Sequence, residues 1–304
     1  MSSEQRVRQL VLFSLGVYVA ALAALTRAFK AYGLEVAPGD KLLQTGMQAW
    51  VPDLLPKHVD QAHSAAAMAF GITSALAYQV WRWSTHPTKR SVALLVFAVT
   101  ATALINYITK VLGLQPPLRA FALFGRGSGV LVYGPLRYLE WAFTTAFLIR
   151  LVACLTPEGP KAQRLLRRTL LCNECVIALG ALEQWVCAAA AGAEPPSSEL
   201  QWQVATALFC VACALFVPVM SGQAQLYRLA GETLNTPQDA AGLASLYRTT
   251  LVTWTLFPVI RGACLAGIVG SCTQEVAFVA VDLISKMGFP VFSLVGAFTL
   301  VGGV

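Results

Sequence analysis

The sequence predicts an all-α fold, a polytopic bundle of eight transmembrane helices, and three observations predict it. Hydrophobic residues make up 57% of the 304 and charged residues only 12%, with a mean hydropathy of +0.63. The apolar residues come in long runs with the charges gathered in the gaps, the pattern of a multi-pass helical membrane protein. The apolar run from about Glu275 to Val304 is long enough to cross a bilayer, and it contains Lys286. At about 1.5 Å per residue counted from Glu275, Lys286 lies roughly 16 Å deep, near the midplane. A lysine there costs about 2.5–3.5 kcal/mol on insertion scales, which makes it a candidate functional residue.

The spans follow in order. The first, Val7–Phe29, comes after a short basic head, Arg6 and Arg8. It has the look of a signal peptide but lacks a clear small-residue cleavage site, so it is read as a helix. A loop from Lys30 to Lys57 holds Pro38, Gly39, Pro52 and Pro56. The second span is His58–Trp83, ending on Trp81 and Trp83, which suit a membrane interface. The third is Ser91–Leu114, the fourth Gly129–Arg150, the fifth Leu165–Ala191 and the sixth Leu200–Gln223. The seventh is Tyr247–Gly270 and the eighth Gln274–Val304.

Charges orient this bundle. The gap after span two carries Arg82, Lys89 and Arg90, and the gap after span four carries Arg150, Lys161, Arg164, Arg167 and Arg168. The gap after span five has Glu194 and Glu199 and no lysine or arginine. Positive gaps lie on the cytoplasmic side, so both termini are expected there. The net charge of +7 then faces anionic membrane lipid and gives no reason to expect a nucleic-acid partner. The chain stops directly after the last span, which leads us to expect one domain of a longer protein. The eight cysteines are scattered. Cys172 and Cys175 form a CxxC without the second pair or histidines of a zinc site, so buried thiols packing as small hydrophobes are expected and no metal is. Spacing alone leaves a Cys187–Cys272 bridge on the outer side open.

The chemistry gathers around Lys286. Asp282 lies four residues earlier, on the same helix face. A buried lysine can act as a nucleophilic amine, and a carboxylate beside it can hold the positive charge that results. The fourth span reads Arg137-Tyr138-Leu139-Glu140-Trp141-Ala142-Phe143-Thr144-Thr145. It places Glu140 at mid-depth and Arg137 about one turn toward the outer side. Two carboxylates, a lysine and an arginine are thus expected at one depth, either as a structural ion-pair network or as a functional site. The seventh span adds Trp254, Phe257 and Pro258, the sixth Trp202, Thr206 and Phe209, and the third Tyr107. Each aromatic alone reads as core packing. Beside a midplane lysine, they would line a slot for a flat apolar ligand.

Three motifs together, Asp-x-x-x-Lys in the last span, Arg-Tyr-x-Glu-Trp-x-x-Thr-Thr in the fourth and Trp-x-x-Phe-Pro in the seventh, closely resemble the microbial (type I) rhodopsins. The resemblance runs from about His58 to the end. It implies a seven-helix retinal-binding domain over residues 58–304, preceded by an extra helix and outer loop in residues 1–57. It also implies all-trans retinal, covalent on Lys286 as a protonated Schiff base. Glu140 would be the primary counterion, Asp282 the second and Arg137 the outer-side arginine of that cluster. Trp141 and Trp254 would sandwich the polyene. Tyr107, Thr144, Thr145, Trp202, Thr206, Phe209, Phe257 and Pro258 match pocket positions. Glu174 falls near a carboxylate that contacts Thr145 in some members.

Departures from the pumps of that family shape the expected function. The position of the internal proton donor, eleven residues after Glu140, is Leu151. Arg261 stands where pumps place an aromatic at the ring end of retinal, and Phe257 replaces a tyrosine that bonds the second counterion. The extra first span resembles the enzyme-linked rhodopsins of eukaryotes, which places the protein in a plasma membrane as a homodimer with a fused cytoplasmic effector. Guanylyl cyclase rhodopsins often carry a further acid near Phe143 or Thr144, absent here, so the nearer resemblance is to rhodopsin phosphodiesterases. The expected function is a light sensor acting on a C-terminal cyclic-nucleotide phosphodiesterase. The alternatives are a light-gated ion channel, a guanylyl cyclase rhodopsin, a weak proton pump, or a transporter with a structural Lys–Asp pair.

Overall fold

In the computed structural model the described residues are 3–31, 56–114, 118–121, 128–131, 135–157, 159–191, 197–232 and 237–288. Among them are eight α-helices: α1 Ser3–Ala31, α2 Pro56–Trp83, α3 Pro87–Val111, α4 Pro135–Ala153, α5 Pro160–Ala191, α6 Ser197–Gly231, α7 Pro237–Leu265 and α8 Ser271–Leu283. A π-helical turn, Ile284–Gly288, continues α8. This is a polytopic membrane helical bundle. Four stretches are long and apolar enough to cross a bilayer on composition alone: Glu4–Arg27, Pro87–Val111, Pro160–Cys187 and Glu199–Gly231. Helix α4 is not among them because Arg137, Glu140 and Arg150 fall within its 19 residues.

Helix starts are set by proline more than by apolarity. Helices α2, α3, α4, α5 and α7 each begin on proline, whose fixed φ suits the first helical position and whose missing N–H is no loss there. At α3 this is reinforced by His86, whose Nδ1 accepts a bond from the Thr88 amide at 3.3 Å. Several helices therefore reach beyond the apolar windows, α6 by eight residues past Gln223. Glycines set two ends. Gly113 has φ 65°, Gly113 N–H bonds Lys110 O and Leu114 N–H bonds Thr109 O, which closes α3 before Leu114. Gly267, φ 71°, closes α7 before Gly270 in the same way, with Ile268 N–H on Ala263 O.

The fourth span needs correction. It does not begin at Gly129: Leu118–Phe121 (β1) and Ser128–Leu131 (β2) form a short antiparallel hairpin, with Leu118 opposite Leu131 and Phe121 opposite Ser128. The helix starts at Pro135. The apolar character of Gly129–Leu131, which hydropathy counts toward a helix, serves a strand. The tail of the eighth span, residues 289–304, and most of the Lys30–Lys57 loop lie outside the described residues.

Ion pairs show which helix ends meet. Arg90 at the start of α3 pairs with Glu4 at the start of α1 at 3.1 Å. At the opposite end, Lys110 near the close of α3 meets Glu275 near the start of α8 at 3.2 Å. The two halves of the bundle differ in kind. Toward the Arg90 end the core is apolar, built from Val92–Val96, Val99, Phe147–Ile149, Leu151, Val219, Leu226 and Trp254. Toward the Lys110 end the interior holds charge: His63, Arg137 and Glu275 are all at most 5% exposed.

Candidate functional site

The site is built where the last helix meets α4. Lys286 sits in the π-helical turn, and its amine is 2.7 Å from Asp282 one turn back and 2.7 Å from Glu140 Oε1 on α4. All three side chains are enclosed, Lys286 at 2% exposure and both acids at 0%. Burial of an unpaired ammonium or carboxylate would be prohibitive, so each needs the others. Asp282 is fixed from two further helices. The Tyr107 hydroxyl donates to Oδ2 at 2.8 Å, and the Trp141 indole N–H donates to Oδ1 at 3.2 Å. These donors occupy the role left open by Phe257. Glu140 is held less completely: Oε1 accepts from Lys286, while Oε2 is buried with no hydrogen-bond partner among the described residues.

Arg137 does not join this group, contrary to the expectation that it shares a depth with the two acids. It bonds Glu275, as do His63 Nε2 at 2.8 Å and Lys110 Nζ at 3.2 Å. Glu275 precedes Asp282 by seven residues, about 10 Å along a helix, so the ionised groups form two layers. The Lys286 layer carries one negative charge in excess. The Glu275 layer carries one positive charge in excess with His63 neutral. Stacked within the bundle, the layers cancel.

An apolar cavity opens beside Lys286. Ser285 and Lys286 line it together with Trp141, Trp254, Phe257, Pro258 and Phe278, and with Thr145, Phe209 and Phe216. Trp141 meets Phe257 edge-on, ring centroids 4.7 Å apart, and Phe278 at 5.5 Å. Glu183 and Arg261, a two-point ion pair supported by Gln274 on Arg261 Nη1, also border it. Arg261 is therefore the neutralised half of a pair on the cavity wall.

Several expected lining residues lie elsewhere. Tyr107 and Thr144 are buried beside the acids, outside the cavity lining; the Thr144 hydroxyl bonds Glu140 O of its own helix at 3.0 Å. Trp202 packs with Val186, Cys187 and Ala205, and Thr206 is exposed with its hydroxyl on Trp202 O. Helix α6 turns the 209-212-216 face inward, which points Thr206 outward. Thr145 receives its bond from Asn173, at 2.7 Å; Glu174 instead accepts from Asn173 at 3.2 Å. Adjacent residues on a helix diverge by about 100°, so only one of the two can face Thr145. Cys187 and Cys272 are not joined in a disulfide, and the Cys187 thiol donates to Glu183. Glu275, His63, Lys110, Glu183 and Asn173 are not among the site residues expected from the sequence. An ionisable residue inside a span was the signal for Glu275 and Glu183, as it was for Glu140.

Fold and site together define a multi-pass integral membrane protein that buries an amine beside an aromatic-lined cavity. The chain belongs to the bacteriorhodopsin-like protein family, whose model matches residues 59–300. Sensory rhodopsin-2 of Haloarcula vallismortis is 29% identical over 235 residues, 75% of this chain and 86% of its own length. Among solved structures, the transmembrane domain of the Salpingoeca rosetta rhodopsin phosphodiesterase superposes with a TM-score of 0.68 at 15% identity. That match covers 96% of this chain and 98% of the other. Acetabularia rhodopsin I gives 0.61 at 16%, covering 83% of this chain and 99% of its own. At these identities the structures speak for the fold. The family implies a retinal chromophore, and the residues present fit one: a buried amine and aromatic side chains lining one apolar cavity, with Glu140 Oε2 buried and without a hydrogen-bond partner among the described residues.

Proposed function

We propose that the chain is the light-sensing domain of a signalling protein, with all-trans retinal covalent on Lys286 and a cyclic-nucleotide phosphodiesterase as the fused cytoplasmic effector. The observation that carries the photoreceptor reading is the Lys286 amine held 2.7 Å from both Glu140 and Asp282 at the head of the cavity. Bound there, retinal supplies absorption of visible light and a change of geometry at the Lys286 nitrogen.

The protein's own groups do the rest. Glu140 and Asp282 stabilise positive charge on that nitrogen in a low-dielectric setting. Tyr107 and Trp141 already donate to Asp282, whereas Glu140 Oε2 has no hydrogen-bond partner among the described residues, which makes Glu140 the proton acceptor. A proton passing from the Lys286 nitrogen to Glu140 removes an ion pair between the last helix and α4. Losing it shifts the balance between two helix arrangements. The end of α8 then transmits the change to the chain that follows.

The effector assignment is supported by the likeness to the rhodopsin phosphodiesterase transmembrane domain across nearly the whole chain, α1 included. It is also supported by Leu151, fully buried in the apolar half, which offers no proton to restore the Lys286 nitrogen from that side. A cation channel is the weaker reading, because Lys110 and Arg137 place positive charge across the polar half. Expressed protein supplied with all-trans retinal should turn coloured. The full-length protein should then hydrolyse cyclic nucleotide in a light-dependent manner. Colourless protein rejects the photoreceptor; photocurrent without light-dependent hydrolysis rejects the effector and favours the channel.

A further inference from the structure

The N-terminal helix brings one polar side chain into the interior near Glu140, and it is Tyr18. Its ring is fully buried in a patch with Leu22 of α1 and Leu136 of α4, against Ile105, Leu139 and Phe143. It meets Phe143 edge-on, ring centroids 5.4 Å apart. Leu136, Glu140 and Phe143 stand at i−4, i and i+3 on α4 and so share one face. Tyr18 thus lies against the stretch of α4 that carries Glu140, close enough for its hydroxyl to feel the Glu140 charge. Two buried oxygens on these residues, Tyr18 Oη and Glu140 Oε2, have no hydrogen-bond partner among the described residues. A buried hydroxyl and a buried carboxylate oxygen each need a partner, and here one is a donor and the other an acceptor.

We propose that Tyr18 is a positioning residue for Glu140, its hydroxyl donating to Oε2 through one bridging water, so that helix α1 responds to the charge on that carboxylate. Glu140 is then shared between two helices that the rest of the site does not join: Oε1 faces Lys286 and Oε2 faces α1. The other charged and titratable groups around Glu140 are Lys286 and Asp282 on the last helix, and Tyr107 and Lys110 on α3, with Arg137 one turn away on α4. Tyr107 is committed to Asp282, and Lys110 and Arg137 to Glu275. That leaves Tyr18 as the hydroxyl available to Oε2. When a proton arrives on Glu140, the bond from Tyr18 weakens and α1 loses its polar anchor in the core. The inference rests on the photoreceptor reading for this consequence, but the contact itself does not.

Two measurements test it. In pigment-free protein, thermal unfolding of Tyr18→Phe, Glu140→Gln and the double variant forms a cycle. Non-additive midpoints support the contact; additive midpoints overturn it. In pigmented protein, Tyr18→Phe keeps the ring and removes the hydroxyl. Its visible band should move to shorter wavelength, because Glu140 then concentrates its charge on the Lys286 side. The infrared carbonyl band of protonated Glu140 should move to higher frequency on losing a donor. Leu22→Ala, which loosens the same patch without touching the hydroxyl, should leave both bands in place. Unmoved bands in Tyr18→Phe, or equal shifts in Leu22→Ala, overturn the proposal. Failure of the wild-type protein to colour rejects the photoreceptor reading while the pigment-free cycle still decides this one.

Discussion

Glu183 and Arg261 bind each other through two parallel contacts on the cavity wall, Nε to Oε2 at 2.9 Å and Nη2 to Oε1 at 2.6 Å. The pair joins α5 to α7, and Glu183 is 1% exposed. Removing one partner strands a charge in a dry setting, which costs about 3–5 kcal/mol, whereas replacing both with apolar groups is near neutral. Arg261→Met and Glu183→Met should each lower the unfolding midpoint in detergent, and the double variant should recover most of the loss. Additive losses would mean that the two side chains act separately.

Lys286→Ala should abolish pigment: the protein mixed with all-trans retinal should show only the spectrum of the free compound. A coloured Lys286→Ala protein, with no amine added, would locate the attachment elsewhere.

Glu140→Gln keeps the shape of the side chain and removes its charge. Because Asp282 still faces the amine, pigment should form but absorb at longer wavelength, with a stability loss toward the low end of about 3–5 kcal/mol. An unchanged spectrum would assign the counterion role to Asp282 alone.

Glu275→Gln leaves Arg137 and Lys110 without their shared carboxylate. A loss of about 3–5 kcal/mol is expected in chemical or thermal unfolding. The visible band should move less than in Glu140→Gln, since Lys286 keeps both of its acids. A spectral change as large as that of Glu140→Gln would mean that the two charged layers are not separate.

At Gly180, which lines the cavity, a Cβ would come within 2.7 Å of Tyr138 Cε1. Gly180→Ala should displace the Tyr138 ring, destabilise the protein by about 1–3 kcal/mol and slow retinal uptake. Normal uptake with normal stability would show that the ring moves freely.

Much of this was legible in the sequence because a membrane interior makes charge conspicuous. Lys286, Asp282 and Glu140 stood out as ionisable residues inside apolar runs, and the structure brings their side chains together. Hydropathy marked the eight spans but not their ends, since it reports where lipid lies while Pro135 and Gly113 report where helices start and stop. The partner of Arg137 was not legible because a sequence gives depth along one helix and says nothing of which neighbour competes for a cation; Glu275 wins that competition from the start of α8. The exchange of Glu174 for Asn173 at Thr145 has a similar origin, because two adjacent polar residues differ only in the rotation of α5. Tyr18 looked like one more aromatic in a first helix, and only its enclosure beside α4 sets it apart.

The division of the bundle into a charged half and an apolar half has a consequence for energy flow. Val92, Val96, Val99, Leu148, Leu151 and Leu226 make the interior beneath the site a largely apolar layer, whose buried hydroxyls include the Ser74–Thr100 and Tyr227–Thr250 pairs. Such a layer behaves as the dielectric of a capacitor: charge displaced within the site is held against it. On the light-sensor proposal, work done on the ion pairs would then be stored as displaced helices.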